Sequence, residues 1–199
     1  MTDQNLKSRT ILVCVCGGIA AYKICDVVSK LVQAGATVDV AMTPEATRFV
    51  GPLTFQALTN RPVHVEMWAT DASATPIPHI NLAQAADLIL LAPATGNTLA
   101  RYAAGIADDL VTNLLLASNP KRLLIAPAMN EGMWNHPATQ RNLKTVFDFG
   151  VTFVGPGQGW QACRTVGVGR MSEPAEILSA IEAKLATLSA VHQTGHFVP

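Results

Sequence analysis

The sequence has little charge: 14% of its 199 residues are Asp, Glu, Lys or Arg, with 14 basic residues against 14 acidic ones and a formal net charge of zero. An average soluble domain carries about 25% charged residues, so part of this surface is expected to be covered by something other than water. A second copy of the chain is the simplest cover. Zero net charge leaves no electrostatic footprint for nucleic acid or for an anionic membrane, and neither is expected as a partner. No apolar run approaches the roughly 18 residues that span a bilayer. The opening MTDQNLKSRT lacks the basic-then-apolar layout of a secretory signal, and a cytoplasmic protein is expected. Cysteine is scarce as well. Cys14, Cys16, Cys25 and Cys163 follow no zinc spacing. Cys14 and Cys16 alternate on an expected strand, so they point the same way without a favourable bridging geometry. The first three cysteines are expected to be buried, reduced thiols.

What is present is periodic. Apolar stretches of strand length recur at 11–16, 37–42, 63–67, 87–92, 122–126 and 151–154. They are apolar throughout instead of alternating, which suits a parallel sheet covered on both faces. Helix-length segments lie between most of them: 20–34, closed by Gly35, then 108–118, and 139–149, closed by Gly150. The pattern predicts a doubly wound α/β domain, Rossmann-like or flavodoxin-like, with helices on both faces of the sheet. It is expected to span 10–188, after a short extension over 1–9 and before a loose tail over 189–199. A chain of this size can bury enough surface to fold without metals or disulfides. His192 and His196 in the tail have helical metal spacing, but Gly195 separates them and no third ligand is evident. No metal site is expected.

Three segments break the regularity with small, polar or proline residues: 70–78, 93–98, and 155–170 with its five glycines. Ligands of open α/β sheets bind beyond the carboxyl ends of the strands, so the loops that follow strands are where chemistry is sought. In CVCGGIAAYK, Gly17 and Gly18 permit a tight turn that aims the free amides of the next helix at an anion. The dinucleotide fingerprint GxGxxG is absent, which favours a mononucleotide phosphate over NAD. A purely structural strand-to-helix turn would look similar. Thr43 and Thr47 could add hydroxyls to such a phosphate site, and Thr43 equally suits a cap for the segment starting near Pro44. APATGNT offers a floor of small side chains for a flat ring, with the Asn97 amide able to donate and accept. Asp108 and Asp109 are adjacent and diverge on a helix, so capping and dipole neutralisation are their expected work.

Taken together, CVCGGIAAYK, PHINLA, APATGNT, GIADDL, PAMNEGMW and GVGRM resemble the homo-oligomeric flavin-containing cysteine decarboxylases over residues 11–178. PAMNEGMW, matching the family's PxMNxxMW, is the most specific element. The resemblance implies FMN as cofactor, held at a subunit contact in a trimer or a dodecamer built of trimers. It places the phosphate at Gly17, Gly18, Ile19 and Thr43, and the ring near Phe49, Pro93, Ala94, Thr95 and Asn97. Gly96 stands where many members have alanine. His79 becomes the active-site histidine, since imidazole ordinarily exchanges protons near neutral pH. Asn130 and Met133 would face the substrate, with the Asn130 amide on the leaving carboxylate. Cys163 would ride on a clamp that closes over the site. The family's pattern there is leucine followed by Ala-Cys-Gly. Here Gln161, Ala162, Cys163 and Arg164 stand in its place, and Arg164 is expected to reach a phosphate or carboxylate.

Direct loss of carbon dioxide from a cysteinyl group leaves an unstabilised carbanion. The chemistry implied by the resemblance therefore begins with oxidation of the thiol to a thioaldehyde and passes to an enethiol. The stronger likeness is to members of coenzyme A synthesis, which convert 4′-phosphopantothenoylcysteine to 4′-phosphopantetheine, with Cys163 as proton donor in the final reduction. The ligase that makes the substrate is then expected to be a separate protein. Two alternatives stay open: a peptidyl-cysteine decarboxylase that releases the enethiol, and a flavin-binding regulatory subunit of a phosphatase.

Overall fold

The computed structural model describes residues 6–68 and 78–194. Six strands, β1 (Thr10–Val15), β2 (Thr37–Met42), β3 (Val63–His64), β4 (Leu88–Ala94), β5 (Leu123–Pro127) and β6 (Thr152–Phe153), form one sheet in the order β3-β2-β1-β4-β5-β6. All the pairings in this sheet are parallel. The strand order is the Rossmann one, not the flavodoxin one, and it reverses direction between β1 and β4.

Burial on both faces follows from the period of two along each strand. On β1, Ile11, Val13 and Val15 enter one core layer, while Leu12 and Cys14, with Cys16 just beyond the strand, enter the other. The first layer is closed by α1 (Ala21–Gln33), α2 (Pro52–Thr59) and α8 (Pro174–Thr194). The second is closed by α3 (Pro78–Ala85), α4 (Gly96–Ala103), α5 (Leu110–Ala117) and α7 (Pro137–Asp148). Helix α1 shows why a sequence of this kind winds onto the sheet. Its buried residues Ala21, Ile24, Val27, Val28 and Leu31 recur at helical spacing on one side. The chain then turns at Gly35, whose φ of +86° suits a residue without a side chain. Each large aliphatic group so buried contributes about 1.5–3 kcal/mol.

Several segments differ from their sequence reading. The glycine-rich stretch 155–170 is a hairpin, β7 (Gly157–Trp160) paired antiparallel with β8 (Val166–Arg170), in which glycine hides the strand pattern. Of 93–98, Pro93 and Ala94 complete β4, and α4 begins at Gly96 behind the Thr95 cap. Residues 189–194 are helical and continue α8. The side chain of His192, all of His196, and the expected loop 70–78 up to the backbone of Pro78 lie outside the described residues. Among the described residues, no helix is long and apolar enough to cross a membrane, and no cluster of three metal-ligating side chains occurs.

Cysteine placement follows burial. Cys14 and Cys16 are sealed in the second layer, where burial pushes the Cys16 thiol up to about 12 and the Cys14 thiol well above its ordinary value. Cys25 is half-buried and Cys163 is exposed.

Phe55 is the largest wholly buried side chain and the one fully buried residue of α2. Phe55→Ala should cost about 3–5 kcal/mol in chemical denaturation, with the denaturant slope unchanged. A loss below about 1 kcal/mol, the size of a typical surface or mildly disruptive change, would mean that α2 does not pin this layer.

Candidate active site

The reversal of strand order opens a crevice. After β1 the chain passes to α1 in one layer, and after β4 it passes to α4 in the other, so the two strand ends part. Between them and the β7/β8 hairpin lies a cavity of about 740 Å³, in the range of small-molecule sites.

Its rear wall is the turn after β1. A Cβ on Gly17 would lie 2.5 Å from Glu45 Cβ and 2.9 Å from the Glu45 carbonyl carbon, so only glycine lets the segment after β2 approach this closely. Gly18 has room: its nearest neighbours would be Pro93 Cγ at 3.8 Å and Thr95 Cγ2 at 3.9 Å. Thr43 is set beside the turn by the bond from its amide to Val15 O (2.9 Å), and its Oγ1 accepts from Ala46 N (3.3 Å). Thr43 thus steadies the short 3-10 turn Ala46–Arg48 without capping a helix from Pro44, and it also lines the cavity. Thr47 turns away, donating its hydroxyl to Pro44 O at 2.7 Å.

The floor is the start of α4. Thr95 Oγ1 accepts from Thr98 N (3.2 Å) and so caps the helix, leaving Gly96 and Asn97 at the cavity. A Cβ on Gly96 would make ordinary contact with Met133 Cε at 3.5 Å, so the alanine of other members fits this space. Asp109 caps α5 through a reciprocal pair with Thr112, and both Asp108 and Asp109 engage Arg101. The capping role read from the sequence is the observed one, and Asp109 lines the cavity as well.

The front is built by backbone. Ala128 N donates to Ala94 O (3.0 Å), and Met129 N donates to Gly169 O (2.9 Å), so the end of β5 is tied to β4 on one side and to the hairpin on the other. Gly169 has φ of +124°, and a Cβ there would fall 2.3 Å from Met129 O. Asn130 then opens α6 (Glu131–Asn135), its Oδ1 accepting from Gly132 N at 2.8 Å. With Oδ1 engaged, the other end of the amide is the free one, and Nδ2 donates to Cys163 Sγ at 3.3 Å. Thr165 Oγ1 lies 3.0 Å from the same sulfur. These two groups, Thr165 first and Asn130 second, stabilise a thiolate and hold the Cys163 thiol below its ordinary value.

The cavity therefore gathers Gly17, Gly18, Ile19, Thr43, Thr95, Asn97, Asn130, Met133 and Cys163. Pro93 lies at its edge beneath Gly18. Ala94 is wholly buried behind the floor. Phe49 is half exposed and Arg164, at a φ of +65°, sits in the hairpin turn; neither lines the cavity. Nor does His79, which stands on α3 with its Nδ1 buried and without a hydrogen-bond partner among the described residues. Sequence reasoning missed Trp160, Lys23 and Arg170, all on the cavity wall. The two cations are held by Glu173, with Lys23 Nζ 2.9 Å from its Oε1 and Arg170 Nη2 bonded to the same oxygen. Lys23 stands inside the quoted CVCGGIAAYK, so the motif marked its position without disclosing the side chain's direction.

A family model described as Flavoprotein matches residues 1–186. The coenzyme A biosynthesis bifunctional protein CoaBC of Bacillus subtilis (strain 168) is 46% identical over 193 residues, covering 97% of this chain and 47% of that protein. The chain thus spans about half the length of the curated relatives it matches. Among solved structures, a cysteine-to-serine mutant of PPC decarboxylase complexed with pantothenoylaminoethenethiol superposes with a TM-score of 0.79 at 29% identity, covering 89% of this chain and 98% of that one. The FMN-dependent cysteine decarboxylase SpaF gives 0.77 at 31% identity, covering 92% and 99%.

The two glycines of the first turn should separate cleanly. Gly17→Ala forces the Glu45 segment away and should yield folded protein without flavin absorbance, whereas Gly18→Ala should remain yellow. Equal flavin content in both purified variants would show that the approach of Glu45 does not shape the phosphate end.

Proposed function

The chain belongs to the Flavoprotein family, and on that premise we propose that it is an FMN-dependent decarboxylase of a terminal cysteinyl group, acting on 4′-phosphopantothenoylcysteine in coenzyme A synthesis. The observation that carries the reading is an exposed thiol, Cys163, bonded to the Asn130 amide across the mouth of a cavity whose rear wall is the Gly17 turn. The residues present fit FMN. The Gly17 turn, packed against Glu45, and the hydroxyl of Thr43 suit a phosphate, with Gly18 and Ile19 completing that end. Thr95 and Asn97, over Pro93 and Ala94, offer the flat floor a ring needs, while Phe49 lies outside the cavity of its own chain. When bound, FMN supplies the two-electron oxidation that turns the cysteinyl thiol into a thioaldehyde, the electron sink for decarboxylation.

The chain's own groups orient and protonate. Because Gly132 N occupies Asn130 Oδ1, the amide presents its Nδ2 donor to the cavity, and a donor is what a leaving carboxylate requires. Met133, about half exposed, closes the apolar side of the substrate. Cys163 gives the proton that accompanies the final reduction of the enethiol. A proton donor works below its own pKa and fails as pH rises through it. With the thiol already held low, alkaline solutions should shift the product from 4′-phosphopantetheine toward the enethiol. Arg164, outside the cavity, has no part in this scheme, and Lys23 and Arg170 are the cations available to an anionic end of the substrate.

His79 completes the site from another copy of the chain. It does not line the cavity of its own subunit, yet its Nδ1 is withheld from every described partner. A trimer in which α3 of one subunit meets the cavity of the next accounts for the distance of His79 from its own cavity and for the low charge of the surface. The coenzyme A substrate is favoured over a peptide by the 46% identity to a protein named for coenzyme A biosynthesis. An enethiol held by a PPC decarboxylase that has lost one cysteine is what the role given to Cys163 would leave behind.

The parent protein incubated with 4′-phosphopantothenoylcysteine should release 4′-phosphopantetheine by mass spectrometry. Cys163→Ser should release a product two hydrogens lighter; ordinary product at the parental rate would remove Cys163 as donor. Oligomers mixed from His79→Asn and Cys163→Ser chains, each unable alone to complete the reaction, should regain 4′-phosphopantetheine formation, because some sites then combine an intact histidine with an intact thiol. No recovery on mixing would overturn the assignment of His79 to a neighbouring subunit.

A further inference from the structure

Gln161 is a buried polar side chain. It is 7% exposed, inside the hairpin turn between β7 and β8, where the family's pattern has leucine. Its amide is fully employed. Oε1 accepts from Glu131 N (3.2 Å), the amide next to Asn130 at the start of α6, and Nε2 donates to Val168 O (2.9 Å) on the returning strand. The same Oε1 accepts from Cys163 Sγ at 3.5 Å. Its backbone closes the turn, with Gln161 N donating to Thr165 O and Gln161 O accepting from Arg164 N, each at 2.9 Å.

From this geometry we infer that Gln161 is a positioning residue that locks the hairpin onto α6, and that the Asn130–Cys163 contact exists because of it. Leucine, the residue of the family's pattern here, could make none of these bonds, so the lock depends on the amide. Buried polar groups left without partners are costly. Removing the amide would therefore strand Glu131 N and Val168 O and favour parting of the two elements, so that water reaches both. Asn130 Nδ2 would then lose the sulfur, and the thiol would lose a donor that favours its ionised form. The charged groups around the hairpin are Arg164, next in sequence to the thiol, Arg170 on β8 with its partner Glu173, and Glu131, whose Oε1 accepts from Val168 N; all stay in place in the variants below.

Only the catalytic consequence of the inference rests on the reading of Cys163 given above, and the test separates the two. Gln161→Met keeps length and burial but has no amide. Alkylation of Cys163 by iodoacetamide, located by peptide mass and followed against pH on the flavin-bearing protein, reads the thiol directly. Its pH midpoint is independent of access. In Gln161→Met the midpoint should move up, and the rate at neutral pH, relative to the alkaline plateau, should fall several-fold. Asn130→Ala should do the same, and the double variant should add nothing further, since one contact is lost in either case. A parental midpoint in folded Gln161→Met, or additive shifts, would overturn the inference. With 4′-phosphopantothenoylcysteine, the pH above which enethiol replaces 4′-phosphopantetheine should move up in Gln161→Met together with the alkylation midpoint. If the parent fails to decarboxylate while the alkylation shifts appear, the substrate reading falls and the role of Gln161 stands. If the parent turns over and the alkylation profiles coincide, the role of Gln161 alone falls.

Discussion

The adjacency of β1 and β4 is the constraint from which the rest of the molecule follows. The two strands pair in parallel from Ile11 against Leu88 to Cys14 against Leu91, and they feed helices on opposite faces of the sheet. Their chains must part where the pairing ends, and the backbone amides and carbonyls there cannot be satisfied by one another. A crevice at this point is a geometric necessity of the strand order, and every segment of the candidate site is defined by its distance from it.

The crevice is finished by close backbone approaches rather than by large side chains. Gly17 admits the Glu45 segment at the rear, and Gly169 admits Met129 at the front. Between them, the bonds Thr43 N to Val15 O, Ala128 N to Ala94 O and Met129 N to Gly169 O extend the logic of the sheet past its last residues. The walls are thereby fixed by main chain, and the side chains they carry are free to serve a ligand. Asn130 illustrates the gain. One end of its amide is consumed by the helix it starts, which orients the other end without any further partner.

The cysteines show how one residue type is divided by environment. Cys14 and Cys16 lie under the floor, where burial keeps their thiols neutral and inert. Cys163 lies in the open, beside Thr165 and Asn130, where hydrogen bonding favours the charged form. Burial suppresses ionisation in the first pair, and a polar, solvated setting promotes it in the last. Of the four cysteines, Cys163 alone lines the cavity.

The sequence by itself determined the layered architecture, because unbroken apolar strands and helices of helical spacing admit few packings. The strands at 11–16 and 37–42, the stops at Gly35 and Gly150, the cap at Asp109, and the glycine turn at 17–18 were all legible, since each is dictated by local chemistry. The hairpin at 157–170 was not, because its glycines erase the alternation that marks a strand, and Gly167 and Gly169 answer to Glu131 and Met129, neighbours far away in sequence. Motif resemblance singled out Asn130 and Cys163 individually. Only the tertiary structure could show that the cap on Gly132 turns the Asn130 amide toward the sulfur, that Gln161 ties the two elements together, that Lys23 and Arg170 share Glu173 at the wall, and that Arg164 and His79 stand outside their own chain's cavity. These are relations between residues brought together across 30 or more positions, as Asn130 and Cys163 are, and side-chain direction at such a meeting is set by packing, on which a local pattern carries no information.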